Sequence, residues 1–200
     1  MAKEGIPFIL VALAIAALLA IGGWWIGVIV FVLIAAFLAY FFRDPHRTVP
    51  DDANVILAAA DGRVTRITED ETGTLISVFM SPFDVHINRS PITGTIREMI
   101  YSKGRKLPAT RNEASYVNER NTLVIEGEGL TVRCTQIAGI MARRIVCRSK
   151  IGDKIERGER FGLIKFSSRT DVLVPPGFEV SVKLGDHVRG GETVIARPIS

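Results

Sequence analysis

A serine pair, a histidine and an aspartate in this chain are residue types that together could break a peptide bond. Ser167 and Ser168 follow a β-like apolar run, and Asp61 stands in the sequence Ala-Asp-Gly. His86 lies in a β-like run between two prolines, with Asp84 two residues before it. A serine hydroxyl is a poor nucleophile at neutral pH unless a neighbouring base takes its proton, and histidine most often serves as that base. A serine pair on a tight turn therefore predicts a site of self-cleavage.

The histidine and the aspartate also have purely structural interpretations. A histidine in a β-like run is commonly packed and bonded to a backbone carbonyl, and an aspartate before glycine commonly belongs to a turn. His46 and His187 are most simply surface residues, because one follows the apolar N-terminal run and the other occupies a turn. The residue types alone therefore leave the roles of His86 and Asp61 open.

Five blocks of sequence carry a resemblance to a known family, and together they cover nearly all of residues 43–196. In chain order the blocks are Phe42–Pro45, Ala60–Gly62, Phe79–Pro91, Asn118–Asn121 with Gln136–Cys147, and Gly158–Asp171. Behind an apolar N-terminal segment, this series resembles the short-type phosphatidylserine decarboxylases.

The resemblance implies an enzyme that makes its own cofactor. In that family the serine attacks the preceding carbonyl, and the new N-terminus becomes a pyruvoyl group whose ketone forms a Schiff base with the substrate amine. For this chain the resemblance implies cleavage between Ser167 and Ser168, with Ser168 as nucleophile and pyruvoyl precursor. It implies His86 as the base and Asp61 as the carboxylate that orients it.

The resemblance also implies the products and partners of this chemistry. Cleavage would leave a β chain of residues 1–167 and an α chain of residues 168–200 as a heterodimer, and a homodimer of the whole is also implied. The substrate would be phosphatidylserine or the ether lipid archaetidylserine. Arg143, Arg144 and Arg169 are candidates to bind its phosphate or carboxylate, because guanidinium binds both groups bidentately, but they are equally well explained as surface charges.

Two positions depart from the family pattern. Long-type relatives carry a second histidine three residues after the first, where this chain has Arg89. Ser167 stands where the family usually has glycine. If the turn requires a positive φ, a serine there costs about 1–2 kcal/mol, which slows processing by about tenfold. A family member that never matures is the alternative.

Such a site must be held beside a lipid. The N-terminal part of the chain contains an apolar run of 37 residues, Ile6 to Phe42, without a charge. Gly22 to Trp25 lies in its middle, so we expect two short helices, about 7–21 and 26–42, that form a transmembrane hairpin. A re-entrant arrangement is left open. Basic residues flank both ends of the run, which predicts that the rest of the chain lies on the cytoplasmic face of the inner membrane.

The remaining residues, 43–200, are predicted to form a mostly β domain. Helical periodicity is nearly absent after residue 50, except around 111–119. Short β-like segments separated by turn signals are expected at 55–60, 63–69, 74–80, 92–100, 122–127, 130–138, 144–148, 161–166 and 193–196.

An internal repeat refines the predicted fold. Gly152–Glu159 and Gly185–Glu192 share the pattern Gly-Asp-x-(Ile/Val)-x-x-Gly-Glu. The pattern is similar to the turns of lipoyl- and biotinyl-carrier domains, which have a barrel-sandwich fold. No lysine-bearing hairpin of the carrier type is present, so covalent carriage is not expected. A non-enzymatic membrane adaptor built on this fold is a further alternative, although it gives the serine tract no purpose.

Composition excludes several classes of function. The net charge of +4 is spread along the chain, and no basic stripe predicts nucleic-acid binding, so mild attraction to anionic lipid is the better expectation. Cys134 and Cys147 lack metal-ligand spacing, so no metal site is expected. Both should be reduced packing residues, as is usual in the cytoplasm.

Overall fold

The computed structural model describes residues 1–105, 107–111, 113–140, 145–165 and 168–199. The chain divides into two compact units, Met1–His46 and Arg47–Ser200.

The first unit contains two apolar helices close to the predicted ranges. After a short 3-10 helix at Lys3–Gly5, α1 spans Ile6–Ile21 and α2 spans Trp25–Phe41. The two helices pack against each other, and Leu19 of α1 lies where a side chain at Gly27 of α2 would stand. Close approach through small residues is typical of helix pairs in membranes.

One helical segment of the described residues, Lys3–Ile21, is long and apolar enough to cross a membrane, and α2 is a shorter apolar helix. Most large side chains of both helices are exposed, including Ile21 and Ile26. Composition and length alone support membrane insertion, so the transmembrane hairpin remains a prediction.

The second unit is mostly β, as predicted. A single short helix of its described part, α3 at Ala114–Val117, lies within the range where helical periodicity was expected. The strands are β1 Ile56–Leu57, β2 Gly62–Asp70, β3 Gly73–Met80, β4 Ile87–Arg89, β5 Gly94–Ser102, β6 Arg120–Glu126, β7 Thr131–Ala138, β8 Ile145–Cys147, β9 Lys154–Ile155, β10 Arg160–Ile164, β11 Ser168–Val174, β12 Phe178–Val180, β13 His187–Val188 and β14 Val194–Pro198.

These strands form one large and two small antiparallel sheets. The large sheet has the order β13-β2-β3-β11-β7-β6-β5-β9, and the small sheets have the orders β1-β14-β12 and β4-β10-β8. One apolar cluster draws residues from all three sheets, among them Leu123, Phe161 and Ile195, each fully buried. Burial of this apolar surface is the main stabilising contribution to the unit.

The strand orders show an internal two-fold pattern. If β4–β10 is taken as one set, its seven strands correspond in order to β1–β3 and β11–β14 taken as the other. Under this exchange the large sheet reads the same from both ends, with β7 and β11 at its centre, and the two small sheets become equivalent. The second unit is therefore built from two similar halves.

The two repeated octapeptides form equivalent turns at the two ends of the large sheet. Gly152 and Gly185 have φ of 91° and 93°, which favours glycine. Their amides donate 2.8 Å hydrogen bonds to the carbonyl oxygens of Ile96 and Val64, and β5 and β2 each carry an irregularity just beyond those residues. The repeat therefore marks two structurally equivalent turns, as predicted, while the barrel-sandwich fold itself stays a prediction.

One central strand differs from the sequence prediction, which put the serine pair on a tight turn. Ser168 instead begins β11, which pairs with β3 on one side and β7 on the other. The strand opens with Ser-Arg-Thr-Asp, so it shows no alternation of apolar and polar residues, although all four are buried. Buried strands are recognised by apolar runs, but the first four residues of this strand are polar, and they can be buried because their polar groups have partners inside the fold.

Candidate active site

Ser168 lies fully buried at the start of β11. Its neighbours across the two ladders are Met80 in β3 and Ala138 in β7, and its Oγ lies 3.8 Å from the Met80 Sδ. Met80 and Ala138 form a small buried apolar cluster with Ala60 and Ile164. The hydroxyl therefore stands among groups that compete weakly for its hydrogen bond, in a region of low polarity.

His86 lies beside the point where the chain leaves β10 for β11. It directly precedes β4, and its carbonyl oxygen accepts a 3.2 Å hydrogen bond from the amide of Ile164, the last residue of β10. Leu163 and Ile87 are partners in the ladder between these strands. The histidine is thus fixed to the chain four residues before Ser168, which brings the predicted base close along the chain to the predicted nucleophile.

The His86 ring is held by its own turn. The side chain is 3% exposed, and Nδ1 lies 3.0 Å from the carbonyl oxygen of Asp84. A carbonyl can only accept, so this contact requires the proton on Nδ1, and an unprotonated Nε2 is then the basic atom of a neutral ring. The backbone contact is the one expected of a packed histidine, and it also selects the tautomer that a base requires.

Asp84 organises that turn. Its Oδ2 accepts hydrogen bonds from the amide and the hydroxyl of Ser81, at 2.7 and 2.6 Å. Its Oδ1 lies 3.2 Å from Nε2 of His187, whose side chain is 58% exposed. His187, predicted to be a surface residue in a turn, thus reaches the turn that holds the candidate base.

Asp61 lies next to Ala60 of the small apolar cluster and makes its own contacts. Its Oδ2 lies 2.6 Å from Nη2 of Arg47, and its Oδ1 accepts a 2.9 Å hydrogen bond from the amide of Gly190. Glycine at position 190 allows a close approach, because a Cβ there would stand about 3.0 Å from the backbone of Ala60. The hydrogen bonds described for Asp61 go to Arg47 and Gly190, and its role in orienting His86 stays a prediction.

The pKa of the Asp61 carboxyl is raised above its ordinary value. Burial raises the pKa of its carboxyl, and the charge of Arg47, the Gly190 amide and the Arg47 hydrogen bond work against that rise, while nearby Asp84 adds to it. The pKa of Glu192, the other carboxyl on Arg47, is lowered chiefly because it accepts a hydrogen bond from the Thr48 amide.

A ladder of buried amides and hydroxyls connects the strands of the site. Asn121 donates to the Gln136 side-chain oxygen at 3.2 Å, and Gln136 donates to the Asn88 side-chain oxygen at 2.9 Å. Asn88 in turn donates to Thr170 Oγ1 at 2.8 Å. These bonds join β6, β7, β4 and β11, and they end two residues from His86 and two residues from Ser168.

Arg169, a predicted phosphate or carboxylate ligand, is 1% exposed. Its Nε lies 2.9 Å from Asp171 Oδ1, and its Nη1 donates to the carbonyl oxygens of Ala109 and Arg111, both at 3.1 Å. Its Nη2 donates to Ser115 Oγ and to Asp171 Oδ2. A substrate group could take this guanidinium only by displacing these partners, so its part in substrate binding remains a prediction.

Several other predicted residues complete the comparison with the sequence. Ser167, Arg143 and Arg144 lie outside the described residues. Arg89, which stands in place of the second histidine, is buried and donates from Nη1 to the carbonyl oxygen of Gly158 at 2.9 Å. It fixes the turn of one repeat.

The two cysteines are free, as expected. Cys134 is buried in the apolar core, and burial raises the pKa of its thiol, so it is an inert packing residue.

The sequence prediction missed three contributors to the site: Arg47, His187 and Gln136. Gln136 lies inside a matched block, and its position in a β-like run was the available signal. Arg47 was interpreted only as a positive flank, and no spacing links it to Asp61 or Glu192, which lie 14 and 145 residues away.

Comparison with known proteins points to one family. The family model described as phosphatidylserine decarboxylase matches residues 34–196. Curated relatives named phosphatidylserine decarboxylase proenzyme include a protein of Nitrosomonas europaea, 46% identical, and one of Magnetococcus marinus, 44% identical; each match covers 98% of this chain and 94% of the relative. A relative from Geobacter sulfurreducens with the same name is 43% identical over 97% of this chain and 94% of its own length.

The family match spans the buried serine strand, the His86 turn and the Asp61 turn, and the relatives align over almost their whole length. The chain therefore belongs to the phosphatidylserine decarboxylase family.

Proposed function

We propose that this chain is a proenzyme that cleaves itself between Ser167 and Ser168 and then decarboxylates phosphatidylserine. The observation that carries the proposal is the seam between β10 and β11. There a fully buried serine begins one strand, and the strand before it is hydrogen-bonded to the candidate base, His86. The names of the relatives supply the substrate and the proenzyme form.

The cleavage begins with the transfer of a proton and of an acyl group. His86 accepts the proton of the Ser168 hydroxyl, and Oγ attacks the carbonyl carbon of residue 167. The C–N bond between residues 167 and 168 breaks, the nitrogen gains a proton, and an ester joins the two residues. Asp61 acts in this step as the carboxylate that favours the protonated imidazole.

Elimination then separates the chains. Loss of the α-proton of residue 168 and of the ester oxygen leaves a carboxylate at residue 167 and a dehydroalanine at residue 168. Water converts the latter to a ketone and releases ammonia. One water is consumed, and no oxidant is needed, so the balance requires nothing beyond the chain and solvent.

The residues around position 168 fit a pyruvoyl group. A ketone is smaller than the serine it replaces, and its neighbours Met80 and Ala138 are apolar and fully buried. Hydrogen bonds of β11 to both neighbouring strands hold the new N-terminus where it forms. When present, the group supplies an electron sink for loss of carbon dioxide from the substrate.

The chain itself contributes a proton and the exclusion of water. His86 lies at the seam and can return a proton to the substrate carbon after decarboxylation. The small apolar cluster keeps water away from the reacting atoms, which strengthens electrostatic interactions there. Arg143, Arg144 and Arg169 are proposed ligands of the phosphate or carboxylate of the lipid.

The N-terminal unit is proposed to anchor the enzyme beside its substrate. Under this proposal α1 and α2 form a hairpin in the inner membrane, and the barrel-sandwich domain lies on the cytoplasmic face, as a heterodimer of α and β chains that also pairs with a second copy. Lys3–Ile21 supports the anchor by its length and hydropathy.

The test is the mass of the purified full-length protein together with a matched pair of serine variants. The wild type should yield residues 1–167 and a blocked fragment of 33 residues, 168–200, whose mass shows the loss of ammonia. Ser168→Ala should remain a single chain without decarboxylase activity, because the nucleophile and the ketone precursor are both removed. Ser167→Gly restores the residue usual in the family and should cleave at least as fast as the wild type. A fully processed Ser168→Ala protein would contradict the proposal, as would an active enzyme that remains uncut.

A further inference from the structure

Arg47 makes two carboxylate contacts at the edge of the site. Its Nη2 lies 2.6 Å from Asp61 Oδ2, and its Nη1 lies 3.3 Å from Glu192 Oε2. The Arg47 side chain is 7% exposed, and those of Asp61 and Glu192 are 13% and 23% exposed. The three groups thus form a buried cation between two carboxylates, and a planar guanidinium is suited to bridge them.

The bridge joins segments that the proposed cleavage separates into two chains. Arg47 and Asp61 precede the cut, whereas Glu192 and Gly190 follow it. Two backbone amides complete the arrangement: Thr48 donates to Glu192 Oε1 at 3.0 Å, and Gly190 donates to Asp61 Oδ1 at 2.9 Å. Asp61 is therefore held from one side by Arg47 and from the other by the turn that contains Glu192.

From this arrangement we infer that Arg47 is a positioning residue for the self-cleavage reaction, which acts by holding Asp61 as an oriented, ionised carboxylate. The inference rests on the proposed function, because Asp61 is the carboxylate assigned there. Arg47 does not touch the reacting atoms; it acts through Asp61.

The balance of charge around Asp61 requires such a cation. Asp84 lies close enough to disfavour a second negative charge, and burial disfavours it further. Glu192 draws on the same guanidinium, Arg189 lies 3.7 Å from Glu192, and His187 lies against Asp84. Among the charges placed at Asp61 in the described structure, Arg47 is the one in direct contact that favours ionisation.

The sign of the effect follows from this balance. Removal of a cation favours the protonated form of the carboxyl and of a base beside it, so the ionised state is reached only at higher pH. Self-cleavage requires this ionised state. When the medium is acidified, the rate of the variant should therefore begin to fall at a higher pH than that of the wild type. Neutralising Glu192 should act in the opposite direction, because Arg47 is then left to Asp61 alone.

The experiment follows cleavage of the full-length chain after cell-free synthesis in detergent. The newly made chain is transferred to a series of buffers from acid to alkaline pH, and the cleavage rate is measured in each. On denaturing gels, Arg47→Ala should move the acid limb of the rate profile upward by about one pH unit. Arg47→Lys retains the positive charge and should leave the acid limb near its wild-type pH, and Glu192→Gln should move the limb to lower pH. Arg197→Ala is the matched control, because it removes an exposed ion pair to Asp52, between the same two segments. That control should leave the limb in place.

The outcomes separate this inference from the proposed function. A wild-type chain that never cleaves contradicts the proposed function. If the wild type cleaves but Arg47→Ala slows the rate equally at every pH, Arg47 is merely structural and the inference is wrong. If Arg47→Ala does not fold, Glu192→Gln decides: a downward shift of its acid limb supports the inference, and a limb identical to that of the wild type overturns it.

Discussion

At the scale of single residues, His86 is held in part through the backbone of its own turn. The Asp84 carbonyl fixes the tautomer, and the Asp84 side chain fixes the turn through Ser81. His187 then lies against the outer oxygen of the same carboxylate. The candidate base is therefore only as well placed as this turn.

Replacing Asp84 by alanine should impair the site more than the fold. The amide and hydroxyl of Ser81 lose their acceptor, so the turn relaxes and His86 moves from its position. We expect self-cleavage to slow by about 10–100-fold, because displacements on the ångström scale have effects of that size. The rate is measured from gel time courses of the full-length chain.

Asp70→Ala is the matched control for this prediction. Asp70 also accepts from an amide and a hydroxyl, those of Thr72, but on an exposed hairpin between β2 and β3. If Asp84→Ala cleaves as fast as the wild type, the turn does not position the base.

At the scale of elements, the polar ladder specifies how four strands meet. Asn88 and Gln136 are fully buried. In the ladder their side-chain nitrogen atoms donate hydrogen bonds and their side-chain oxygen atoms accept them. A shift of β4 by one residue would place Asn88 on the other face and leave Gln136 without its acceptor. The ladder thus sets the register between the strand after His86 and the strand of Ser168.

Replacing Gln136 by leucine should destabilise the protein through unsatisfied partners. Asn121 and Asn88 would each lose a bond in a buried place, which costs about 1–3 kcal/mol for a buried polar group. Urea unfolding of the full-length protein, monitored by the far-ultraviolet circular dichroism signal of its β structure, measures the change in the free energy of unfolding. Thr135→Val in the same strand removes a half-buried bond to Thr122 and should cost less. Equal stability of the leucine variant and the wild type would count against the ladder.

The same element scale shows what could be predicted from the sequence. Strands with an alternating or apolar pattern, such as β3 and β7, were predicted to within a residue or two, because burial on one or both faces leaves a visible pattern. The strand of Ser168 was missed since its polar residues are buried with partners. Ser168 and His86 were found through short motifs, whereas the long-range bridge of Arg47 to Glu192 follows only from the completed fold.

At the scale of the whole molecule, the proposed cut falls between two strands of different sheets. The fragment after the cut holds β11, which is central in the large sheet, and also β12, β13 and β14. Every strand of the fragment pairs with strands of the other chain or with each other. The described interface is therefore part of the folded core.

The two processed chains should accordingly remain together without a covalent link. Gel filtration in mild detergent should show both chains in one peak, and only denaturant should separate them, because separation exposes β11 and its buried neighbours Met80 and Ile76. The uncut Ser168→Ala variant is the control for elution volume. Release of the small chain under native conditions would contradict this prediction.

The correspondence between the two halves of the β unit has one more consequence. In chain order, the half made of β4–β10 is inserted between β3 and β11 of the other half, which is made of β1–β3 and β11–β14. The proposed cut thus lies at the end of the inserted half, where the chain returns to the half that β1–β3 began. Cleavage there leaves β4–β10 in one chain and divides the other half between two chains, but β10 and β11 on either side of the cut stay intact, so the protein can sever its own backbone and keep its architecture.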